Sequence, residues 1–183
     1  MTIFKKLFGK KNCEDDFRNI AGMILVSGVG VMQKIQEESK SKNNLPPEYM
    51  MEFIPIGLHY LSRVALHTGG GSFQDLVYTK VWDCVVDNMK DNFSSALNIS
   101  PTEAKNRLES RIREREVEYS RYTTSYTVDE NKEGTLFWAA AKHIDDAAGF
   151  KNNDSIKAIG GILLNWAATI GFEALLKDIN RKM

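Results

Sequence analysis

Three histidines and a run of aspartates are the side chains in this 183-residue chain best suited to metal or acid–base chemistry. Asp75, Asp83, Asp87 and Asp91 recur at steps of four or eight, which places them on one row of a helix. Carboxylates so arranged can hold a hard cation, and helical bundles build di-metal centres from facing helices. Those centres draw on a Glu-x-x-His pair, which this chain lacks. His59 and His67 stand two helical turns apart, roughly 12 Å by helix rise, too far to share one ion. His143 and Asp146 stand three residues apart and can pair locally. A histidine–aspartate couple can move protons, but no nucleophile motif accompanies this one. The candidate metal or acid–base set is therefore His59, Asp83, Asp87, Asp91, His143 and Asp146. The simpler expectation is a solvated acidic ridge plus a local surface pair.

Two further patterns bear on ligands. Gly69-Gly70-Gly71-Ser72 stands before a helical stretch, where backbone N–H groups could take an anion. A phosphate loop needs lysine and then Ser or Thr after its last glycine, and Phe73 and Gln74 stand there instead, so a helix–helix turn is expected. The segment 101–126 carries Arg107, Arg111, Arg113, Arg115 and Arg121 with three tyrosines, a composition used on RNA and single strands. Glu103, Glu109, Glu114, Glu116 and Glu118 nearly cancel that charge, and Glu103–Arg107 and Glu109–Arg113 are favourable i,i+4 pairs. A helix laced by salt bridges, with tyrosines toward the core, is expected over a nucleic-acid surface.

The start of the chain reads differently. Wound as a helix, Ile3, Phe4, Leu7 and Phe8 share one face, and Lys5, Lys6, Lys10 and Lys11 fall mostly on the other. Residues 1–13 thus form a basic amphipathic segment ahead of a helical domain over 14–183. Such a segment suits weak contact with an anionic membrane surface, but docking onto the protein's own core or a partner's groove, or disorder, is expected first.

The elements that must position these residues are helices. Phe73, Val77, Val81, Cys84, Val85 and Met89 recur every three or four positions, and the same period returns through the chain without useful strand alternation. An all-α, single-domain bundle of about six helices follows. The expected spans are 15–39, 46–67 with a kink or break at Pro55, 72–97, 101–126, 135–148 and 155–180. Pro46-Pro47 and Ser100-Pro101-Thr102-Glu103 are start signals. Asp154 or Ser155 is the expected cap of the last helix. Gly22, Gly28 and Gly30 in the first helix and Gly160-Gly161 in the last weaken each helix unless a neighbour approaches closely. Those two small-residue-rich helices are therefore expected at the centre, packed on each other.

Composition excludes little but is consistent. The chain has 24 basic and 24 acidic residues, so no global field draws nucleic acid or acidic surfaces. With two cysteines, Cys13 and Cys84, neither a disulfide framework nor a zinc cluster is expected. The resulting expectation is a cytoplasmic, non-catalytic protein that works by binding a protein partner, with a homodimer as one form and no cofactor. Its alternatives are a metal-binding or hydrolytic bundle using the His and Asp residues, and a nucleic-acid binder using 101–126.

Overall fold

The computed structural model describes residues 11–39, 46–123 and 134–183. Those residues form six α-helices and no strand: α1 Lys11–Ser39, α2 Glu48–Leu97, α3 Pro101–Tyr119, α4 Leu136–Ala148, α5 Asn153–Thr169 and α6 Phe172–Lys182. The basic segment Ile3 to Lys10 lies outside the described residues, as does Tyr126.

All six helices contribute to one hydrophobic core, from Phe17 and Ile20 on α1 to Leu176 and Ile179 on α6. The hub is α2, which packs against α1, α3, α4 and α6. Its stretch Met51–His59 is buried without interruption, more enclosed than either small-residue helix. Further along α2, Phe73, Val77, Val81 and Val85 are buried at the helical period expected of them. Each fully buried aliphatic side chain of this size contributes about 1.5–3 kcal/mol relative to exposure. The helices α1 and α5 do pack on each other, and Trp166 Nε1 donates to Ser27 Oγ across them at 2.8 Å.

Three local expectations change. Pro55 does not break its helix; the non-helical backbone inside α2 is at Gly70 (φ 77°, ψ −175°). A left-handed φ is accessible to glycine at little cost, so the glycine run turns the helix axis. Ser100 caps α3 as expected, its side chain accepting from the Glu103 N–H, with proline following. On the last helical stretch the cap is Asn152, which accepts from Ser155 N–H, and Gly171 (φ 74°) divides that stretch into α5 and α6. Together these two cover Asn153–Lys182, long and apolar enough to span a bilayer by length and composition alone, with an 18-residue window of mean hydropathy 1.5. Here they fold over Gly171 and bury Ile159, Leu163, Trp166 and Leu176 inside the protein.

The glycines also sort differently. A Cβ on Gly28 would stand 2.7 Å from Phe53 Cδ1, and one on Gly57 would stand 2.8 Å from Ile24 Cγ2. These two permit the close α1–α2 approach. Gly22, Gly30 and Gly161 face open space, so the close-packing expectation fails there.

Candidate functional site: a buried ionic seam and an open apolar groove

The polar chemistry of the molecule is concentrated between α2, α3 and α4, in two linked chains of contacts. The first begins at Glu52, buried on α2. Its carboxylate accepts from Arg115 Nε at 2.7 Å and Nη2 at 3.2 Å, a two-pronged pairing. Arg111 Nη1 reaches the same carboxylate at 3.1 Å. Arg115 Nη1 then donates to Glu118 Oε2 at 3.2 Å. Glu118 in turn accepts from His143 Nε2 on α4, at 2.9 and 2.8 Å to its two oxygens. Glu52 and Arg115 are 6% and 7% exposed, so each would be costly to bury alone. Burial by itself lowers the proton affinity of the Arg115 guanidinium; the hydrogen bonds to Glu52 and its charge outweigh that and raise it.

The second chain lies beside it. Tyr78 donates to Glu116 Oε2 at 3.4 Å, and His59 Nδ1 stands 2.9 Å from Glu116 Oε1. Arg63 Nε donates to His59 Nε2 at 3.0 Å. Arg63 Nη2 also donates to the carbonyls of Tyr119, at 3.3 Å, and of Tyr122. Tyr119 is the last residue of α3, and its carbonyl also accepts from the Tyr122 N–H; the Tyr122 carbonyl lies in the turn just beyond. The contacts fix the histidine's tautomer. An arginine can only donate, so Nε2 must present its lone pair and the proton sits on Nδ1, facing the carboxylate. Burial lowers the proton affinity of the Arg63 guanidinium, and the charge of Glu116 opposes that.

Tyr119 joins the two chains. Its ring packs against His59 (centroids 5.7 Å apart) and against His143 (6.4 Å). Its hydroxyl is buried with no hydrogen-bond partner among the described residues. Burial drives this hydroxyl well above the usual tyrosine range, with Glu52 adding to the effect, so it is held neutral.

The sequence candidates distribute unevenly over this site. His59 and His143 belong to it, each against a glutamate of α3. His143 pairs with Glu118 across helices, and Asp146, the partner expected from spacing, is exposed on the surface. Asp75, Asp83, Asp87 and Asp91 are exposed along α2, away from the histidines, and Asp87 pairs with Lys90 at 3.1 Å. His67 is exposed as well. Among the described residues no group of three His, Cys, Asp or Glu side chains is placed to hold a metal ion. Cys84 is a half-buried free thiol, and burial pushes its proton affinity up, away from the nucleophilic thiolate.

The arginines of α3 are engaged. Arg107 pairs with Glu103 at 2.6 Å and Arg113 with Glu109 at 3.5 Å, the two i,i+4 pairs expected from spacing. Arg111 and Arg115 turn inward to Glu52. That inward pair was not legible beforehand. Glu52 lies in the run Met50-Met51-Glu52-Phe53-Ile54, and a charged residue amid apolar ones was its only signal.

A second region is built the opposite way. Between α1 and the α5–α6 joint runs a shallow groove of about 510 Å³, lined by Gly22, Met23, Val26, Trp166 and Ile170 among others. Val26 is 73% exposed and Val29, one turn on, is 43% exposed. The floor is the edge of an aromatic cluster in which Trp166 packs edge-on to Phe53, centroids 5.3 Å apart. No protein-family model, no curated protein and no solved structure matches this chain.

Proposed function

We propose that this protein works by binding a macromolecular partner through the α1–α5 groove, and that its ionic seam is structural, not catalytic. One observation carries the reading: Val26 is the most exposed large apolar side chain among the described residues, and it stands over an apolar groove. Single exposed apolar residues are ordinary on protein surfaces. A contiguous set with Met23, Val29 and Ile170 beside it is the usual mark of an interaction site. The seam supports the same reading from the other side. Its carboxylates and guanidiniums are spent on one another, and the one buried hydroxyl at its centre is held neutral. A general base or nucleophile needs a reacting group within reach of substrate.

The test is site-specific photo-crosslinking in cells, with a benzophenone side chain placed at Val26 and, as control, at Val117. Val117 is 61% exposed on α3, far from the groove in sequence, and controls for general stickiness. The expected result is a discrete adduct from position 26 and none from position 117. An adduct of twice the chain's mass would identify the partner as a second copy. No discrete adduct at 26, or the same adducts at both positions, would remove the reading.

A further inference from the structure

We propose that the His59–Arg63 contact is an acid-sensitive latch on the C-terminal end of α3. Protonation of His59 would break the grip of Arg63 on the carbonyls of Tyr119 and Tyr122 and loosen the turn Ser120–Tyr122.

The geometry sets both the trigger and the direction. His59 is 5% exposed on α2. Its Nδ1 faces Glu116 Oε1 at 2.9 Å and its Nε2 accepts from Arg63 Nε at 3.0 Å. Both contacts are satisfied at once only by the neutral ring with its proton on Nδ1. A second proton must go to Nε2, where it would point at the Nε–H of a guanidinium that is always charged. The contact then becomes donor against donor and cation against cation. The other contact survives, because Glu116 accepts from either state and gains attraction to the cation. The ring therefore stays with Glu116 and Arg63 is displaced.

Displacement of Arg63 is felt elsewhere because the same guanidinium holds two carbonyls at the end of α3. Beyond α3, Ser120, Arg121 and Tyr122 donate backbone N–H groups to Glu116, Glu118 and Tyr119 carbonyls. That turn is the element the latch biases. Among the described residues the charged and titratable groups around His59 are few. From α3 come Glu116 and the ring of Tyr119, around which Glu52, Arg115 and Glu118 cluster. From α2 come Arg63 and, through Glu116, Tyr78. From α4, His143 lies against Tyr119 and is paired with Glu118. His143 responds with the opposite sign: its Nε2 already donates to a carboxylate, so a positive charge there strengthens the pair. Imidazole is the side chain whose ordinary titration falls between pH 5 and 8, which sets the two pH values compared below.

Two measurements on the full chain test the latch. The first is ¹⁵N chemical shifts of the histidine rings at pH 7.5, where the Nδ1–H tautomer is expected for His59. The second is amide exchange at pH 7.5 and 5.5, each corrected for the intrinsic change of exchange rate with pH. Protection at Ser120, Arg121 and Tyr122 should fall about tenfold or more at the lower pH, the scale of losing a hydrogen bond to a charged group. Amides within α5 should change little. His59→Gln, which can accept from Arg63 and donate to Glu116 at every pH, should abolish the difference, and His143→Gln should keep it. An Nε2–H tautomer at neutral pH, or equal protection of the three amides at both pH values in the native protein, would overturn the proposal. Those two readings need no variant, so a poorly folding H59Q protein would not leave the question open.

Discussion

The α2–α3 seam and the α1–α5 groove reverse the usual partition of side chains. In the seam, Glu52 and Arg115 are nearly inaccessible to water, each satisfied by the other. In the groove, Val26 stands in solvent, as does Val29 one turn on along α1. A buried charge is tolerated only with a partner in good geometry, so the seam admits one register of α3 against α2. An exposed valine is tolerated anywhere, so the groove constrains nothing inside the molecule. The difference separates residues that hold the fold from residues available to something else.

Removing one half of the seam should have the largest effect. Glu52→Ala leaves Arg115 buried without its main partner, and breaking such a pair typically costs about 3–5 kcal/mol. Thermal unfolding should show a loss of roughly 6–20 °C, taking about 2–4 °C per kcal/mol for a domain of this size. Replacing both residues by methionine should recover most of that loss, because the stranded charge is gone. An E52A protein that melts at the native temperature would show that the seam does not hold α3.

Glycine substitutions probe the packing between the two regions. Gly57→Ala places a Cβ 2.8 Å from Ile24 Cγ2 in the α1–α2 contact, and overpacking of this kind costs about 1–3 kcal/mol. Gly161→Ala on α5 meets nothing within 4 Å, so it should stabilise by up to about 1 kcal/mol through helix propensity alone. Opposite signs in chemical denaturation are the expected result. A loss at Gly161 would mean that α5 is more enclosed than its open face indicates.

The smallest stability effect belongs to the groove. Val26→Asp should change stability by no more than about 0.5 kcal/mol, the range for surface positions away from special features. The same substitution should abolish any crosslink formed from neighbouring Val29. A strongly destabilised V26D protein would place Val26 in the fold-holding class and erase the contrast between the regions.

Much of the architecture was legible before any coordinates. Helical periodicity located the apolar faces of α1, α2, α3 and α5, because a 3.6-residue repeat is a property of the chain itself. Ser100-Pro101-Thr102-Glu103 marked the start of α3 for the same reason: a cap and the N–H that donates to it lie within one turn. Within one helix, spacing also identified the Glu103–Arg107 and Glu109–Arg113 pairs. It failed wherever the answer depended on another helix. Pro55 read as a break, yet the buried run around it keeps α2 helical and the turn falls at Gly70. Gly22 and Gly161 read as close contacts from composition, but only a neighbour's position tells a glycine that admits another helix from one that faces water.

The same division runs through the site. The sequence by itself determined that His59 and His143 lie on helices and that α3 alternates arginine with glutamate. Only the tertiary structure decided that Glu118, not Asp146, is the partner of His143, and that Glu52, 63 residues before Arg115, is where that arginine ends. The physical reason is range. Caps, helical repeats and i,i+4 pairs act over one or two turns and are written in consecutive residues, whereas a buried charge finds its partner wherever packing brings one of opposite sign.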